Sequence, residues 1–141
     1  MAVAAAIQSK KDVGAGTYGS ISEIVIDPSG VPSQINFFPL TQIPVYSAIT
    51  VHPLPGYTAA TGQAVVAALC SFVSGLSIGE EVYSSWCQSV AGLPNTLVQQ
   101  TFVITSFTLG LTAGTLGGGN IPINFNQAAV MTPANVSLTV A

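Results

Sequence analysis

The segment "IPVYSAITVHPLPGYTAATGQAVVAALCSFVSGL", residues 43–76, contains a strand, a turn and a helix in direct succession. In its first part Val45, Ile49 and Val51 fall on one face, and Tyr46, Thr50 and His52 on the other. That is the period of two of a half-buried strand. The Pro-Gly-Tyr triplet at 55–57 ends it, and Thr58 stands where a helix N-cap belongs. Beyond Thr58, the residues Val65, Leu69, Phe72, Val73 and Leu76 form the stripe of a helix that covers a core. A strand and a helix with one apolar face each are stable only when those faces meet other elements. This favours helices packed on a sheet.

Working outward, "AVAAAIQSKK" (2–11) reads as an alanine-rich first helix, stopped by the glycines at 14, 16 and 19. The stretch "SISEIVI" (20–26) has the β-branched density of a strand, and "QINFF" (34–38) is its returning partner. Between them "DPSGVPS" is a turn, with Pro28 fixing φ and Gly30 free to take a positive φ. After Gly79 a second central helix is expected to begin near Glu80, with Val82, Tyr83, Trp86 and Val90 at helical spacing. "LVQQTFVITSFTL" (97–109) reads as a long strand, "GLTAGTLGGGN" (110–120) as a loop or hairpin tip, and "IPINF" (121–125) and "VSLTV" (136–140) as closing strands. The expected fold is α+β: a single domain over 1–141, with a mainly antiparallel sheet and helices packed on one face.

Charge is scarce. The chain of 141 residues is 49% hydrophobic, yet only 5% of it is Asp, Glu, Lys or Arg, against roughly 25% in an ordinary soluble domain. No arginine occurs, and no formal charge lies between Val82 and Ala141. With two lysines and a net charge of −3, the chain lacks the cations that phosphate neutralisation needs, so nucleic acid is excluded as a partner. The most apolar stretch, 59–76, contains Thr61, Gly62, Gln63, Ser71 and Ser74 and has no basic flank, so no membrane span is expected. At the N-terminus the basic pair follows the apolar run, the reverse of a signal peptide. Cys70 and Cys87 are therefore expected as reduced thiols. A folded chain with so little surface charge tends to associate, which points to an assembly component and a homo-oligomer.

Several residues invite a chemical reading. Glu80 and Glu81 form the only adjacent acid pair, and the expected helix puts them in its first turn, where acids interact favourably with the macrodipole. His52 is the only histidine, which excludes a multi-histidine metal site. A triad of His52 with Asp12 or Asp27 would lack a nucleophile elbow. "GTLGGGN" (114–120) has no Lys-Ser/Thr ending and no helix pattern after it, so it is not a phosphate loop. Asn135-Val136-Ser137 matches a glycosylation sequon by chance. No catalytic, cofactor-binding or metal-binding residue is assigned.

Taken in order, the opening helix leading to "VGAGTYG", the hairpin "IVIDPSGVPSQINF", "PVYSAITVH", "AVVAALCSFVSGL", "SIGEEVYSS" and the terminal "VSLTV" resemble the baseplate J-like proteins of contractile-tailed phages. The resemblance runs from about Val3 to Val140 and covers the C-terminal part of a wedge subunit. It implies a virion structural protein, assembled in the host cytoplasm and located in the tail baseplate. Such a protein would work through self-assembly and contacts with other tail proteins, without catalysis or cofactor. It also implies that Ile78 points inward and that Gly79 permits the turn. Such proteins usually carry a further N-terminal region, so the chain is expected to be a fragment or a short gene product. Gln127 stands where an acid often occurs, and the glycine loop is an insertion. The alternative from composition is a secreted adhesin-type, β-rich interaction module.

Overall fold

In the computed structural model, which describes residues 2–93 and 100–141, the chain is α+β and divides into two compact units, Met1–Leu40 and Thr41–Ala141.

The first unit contains helix α1 (Ala2–Lys10) and the antiparallel hairpin β1 (Ile21–Ile26) and β2 (Pro32–Phe37). Asp27 closes the hairpin turn: its Oδ1 accepts from the amides of Ser29 at 2.8 Å and Val31 at 2.9 Å. Gly30 takes the positive φ of 80° that the turn requires. Helix α1 packs on the hairpin, with Ala4 and Ile35 buried there. Along β1 half-buried and exposed residues alternate, which leaves Ile24 and Ile26 on the open face.

The second unit carries the main core. The long strand expected over 43–53 is two strands, β3 (Thr41–Pro44) and β4 (Tyr46–Pro53), with the buried Val45 between them. They lie in different sheets. Strand β4 is central, flanked by β5 (Phe102–Gly110), which runs antiparallel to it, and β7 (Val136–Val140), which runs parallel. Strand β3 pairs in parallel with β6 (Gln127–Val130). Ser47, Ile49 and Val51 are buried along β4, in the expected alternation. The Ser47 hydroxyl is satisfied by the Thr108 carbonyl at 3.0 Å.

Helix α2 (Ala59–Ser74) begins as the sequence indicates. Thr58 and Thr61 form a reciprocal capping box, and Gly75 is the C-cap. Val65, Leu69 and Val73 are fully buried in one cluster with Val45, Ile49 and Val51, while Phe72 and Leu76 pack at its margin. At the far end, the Ser74 hydroxyl donates to the Met131 carbonyl and accepts from the Met131 amide, both at 3.1 Å. This fastens the helix terminus to the chain leaving β6.

Three expectations are corrected. The second central helix, α3 (Ser84–Ala91), starts at Ser84, so Glu80 and Glu81 precede it rather than occupying its first turn. "IPINF" is not a strand: within it Ile121 alone makes a bridge, to Val82, and the strand that follows is β6. Ile78 points outward, at 59% exposure. The expected strand start at 97–99 lies outside the described residues.

Removing the Thr58 hydroxyl tests the helix start. Thr58→Ala should lower stability by about 0.5–2 kcal/mol, read as a fall in the urea midpoint with an unchanged slope.

Candidate functional site

The two glutamates have different surroundings. Residues 77–80 form a tight turn in which the Glu80 amide donates to the Ser77 carbonyl at 3.1 Å and Gly79 has a φ of 77°. The Glu80 carboxylate (Oε2) accepts from the Ser77 amide at 2.8 Å, closing the same turn from the other side. The Gly79 amide donates to the Gln127 carbonyl at 2.8 Å, tying the turn to β6. A side chain on Gly79 would be strained by that φ and would press on the Phe125 backbone. Glu80 is thus a turn-closing acceptor. Glu81 has no such contact among the described residues.

Asn120 occupies the position that a helix-start reading would give to the acids. Its Oδ1 accepts from the Ser84 amide at 3.1 Å, and the Ser84 hydroxyl donates to the Gly118 carbonyl at 3.2 Å. The glycine loop therefore caps α3 from a distance of more than thirty positions in the sequence. Local sequence carries little sign of this, because Asn at a loop end is also an ordinary turn residue.

The remaining candidates do not converge. His52 is exposed, with Nδ1 3.0 Å from the Ala141 carbonyl oxygen. Asp27 is engaged in its own turn. Among the described residues, no three His, Cys, Asp or Glu side chains come together as metal ligands would, and no helix is long and apolar enough to cross a membrane. Cys70 and Cys87 are both free and buried. Burial pushes the Cys87 thiol up to about 11 and raises that of Cys70, which removes the thiolate that reactivity needs.

Among the described residues a groove of about 660 Å³ lies in the second unit, between α2 and β7. Ala59, Gly62, Gln63, Val66 and Ala67 form its helix side, Leu138 and Val140 its strand side, and Tyr57 and Pro133 complete the lining. It depends on Gly62: a Cβ there would stand 2.7 Å from the Tyr57 hydroxyl and 2.9 Å from Leu138 Cδ2. Tyr57 in turn packs edge-on against Phe102. The lining is almost wholly apolar and carries no charge, so it suits apolar side chains rather than an ionic ligand. The helical stripe read from sequence misses the groove because Ala59 and Ala67 are small and lie off the core-facing face, while Gly62, buried beside that face, has no side chain to register in an apolar pattern.

Neither a protein-family model nor a curated protein matches the chain.

Three measurements check these assignments. Glu80→Ala should destabilise the protein by about 0.5–1.5 kcal/mol, while Glu81→Gln stays within about 0.5 kcal/mol of the parent, as compared by thermal melts. The thiols should react with a disulfide reagent in denaturant and only slowly in the native protein. Because the folded pKa of Cys87 lies above its ordinary value of 9.0, the associated stability is fully present below pH 9. It declines as pH rises from 9 towards 11, and Cys87→Ser should flatten that decline.

Proposed function

We propose that this chain is a structural subunit that works by assembly, in the setting its sequence resembles: the baseplate of a contractile phage tail. Its partners on this reading are copies of itself and other tail proteins, its location is the virion, and it performs no catalysis. The observation that carries the reading is the apolar surface of the first unit. Among the described residues its buried apolar ones are Ala4 and Ile35, whereas Ile24 is 73% and Ile26 70% exposed. Val13, Tyr18 and Val31 are exposed as well.

A unit of about forty residues seldom holds together on a core of that size, and a lone two-stranded hairpin is marginal in water. Exposed isoleucines on adjacent positions of one strand face gain most when another protein covers them. A charge-poor surface supplies little repulsion to oppose such contact. The uncharged groove of the second unit has the same character.

Immunogold labelling of contractile tails purified from cells that express this protein tests the placement. Label at the baseplate end is expected; tails that carry none would overturn it. At micromolar concentration, light scattering should show a species larger than 14.3 kDa, and Ile24→Lys with Ile26→Lys should abolish incorporation into tails while leaving the second unit folded.

A further inference from the structure

The groove borders a sheet edge whose hydrogen-bonding state can be read from one contact. The Ala141 amide donates to the Val51 carbonyl at 2.9 Å. Backbone groups alternate in direction along a strand, so Thr139 and Ser137 also point at β4. Leu138 and Val140 then direct their amides and carbonyls away from β4. Strand β7 is the last strand of its sheet, and these groups have no hydrogen bond among the described residues. The Val136 amide, which shares their direction, is already taken by the Pro133 carbonyl. With that amide taken, the residues of β7 that offer both an outward amide and an outward carbonyl are Leu138 and Val140, whose side chains also line the groove.

Natural sheet edges are guarded by lysine, proline or a bulge. The sequence "VSLTV" has none of these. We propose that β7 pairs antiparallel with β7 of a second copy, about a two-fold axis through Thr139. This pairing rests on the self-assembly reading and names the contact. In this register Leu138 faces Val140 of the second copy. The Leu138 amide donates to the carbonyl of that Val140, and the amide of that Val140 donates to the Leu138 carbonyl; the two-fold repeats both bonds. Every free backbone group of Leu138 and Val140 is satisfied, and no other is required. Leu138 and Val140 of both copies then form one apolar strip along the grooves. A strand that is self-complementary in donors and acceptors fits an isologous contact, and the absence of charge from Val82 to Ala141 removes like-charge repulsion across the axis.

The register makes Thr139 face its own copy as a non-hydrogen-bonded pair, with Cα atoms about 4.5 Å apart, inside the range a disulfide spans. Thr139 is exposed, on the face opposite the groove side chains. Thr139→Cys should therefore give a disulfide-linked dimer on mild oxidation, seen on a non-reducing gel. Ser106→Cys, on exposed β5, should not, and the parent's buried thiols should not. Val140→Pro removes an outward amide without touching the β4 ladder. It should keep the circular dichroism spectrum and weaken dimerisation by about tenfold or more in sedimentation equilibrium. If Val140→Pro fails to fold, Val140→Lys replaces it with the same expectation. Cross-linking of Thr139→Cys no greater than that of Ser106→Cys would overturn the pairing, as would a proline or lysine variant that dimerises like the parent. A parent that is larger than a monomer in either case would leave the assembly reading standing, and a parent monomeric at every concentration would overturn the pairing while leaving baseplate labelling to judge the placement.

Discussion

The second unit depends on the burial of one helix face against one strand. Val65, Leu69 and Val73 of α2 share a single cluster with Val45, Ile49 and Val51 along β4. Each such side chain, taken fully out of water, stabilises the fold by about 1.5–3 kcal/mol, more than the ~0–1 kcal/mol of an exposed ion pair. Strand β4 has neighbours on both sides, so its backbone is satisfied while its buried face meets the helix. The capping box at Thr58 and the Ser74–Met131 contacts fix the two ends of α2. Helix, sheet and the chain after β6 are thereby held in one register.

The same arrangement produces the groove. With Val65, Leu69 and Val73 committed to the core, α2 turns Ala59, Gly62, Val66 and Ala67 towards β7. Ala59 and Ala67 are too small to fill the space beside Leu138 and Val140. A larger residue at Gly62 would collide with Tyr57 and Leu138. Space beside an edge strand is therefore a consequence of where the core residues sit on the helix, and both features favour contact with another polypeptide.

The acid pair shows how a sequence pattern acquires a different role once the chain turns. Two acids before "VYSSWCQSV" resemble a helix start, because first-turn acids are electrostatically favoured. The helix begins later because the amide that needs a cap, that of Ser84, is supplied by Asn120 from the glycine loop. Glu80 instead closes the preceding turn on Ser77, where Gly79 provides the positive φ. A helix cap and a turn acceptor need the same kind of atom, and only the distant loop determines which one Glu80 becomes.

The sequence by itself determined the elements whose signals are local. Alternation along 45–51, the stripe from Val65 to Leu76, the cap at Thr58 and the turn at Asp27–Gly30 each depend on side chains and backbone preferences within a few residues, and each is present. The α+β class follows from them. Tertiary structure alone decided the break at Val45 that sends β3 and β4 to different sheets, the parallel pairings β3–β6 and β4–β7, the late start of α3, and the groove. "QAAV" shows why: its alanines carry little strand propensity, and it becomes β6 because β3 offers it a ladder. Pairing between residues more than eighty positions apart depends on which backbone groups remain unsatisfied after the core closes, and no local pattern records that.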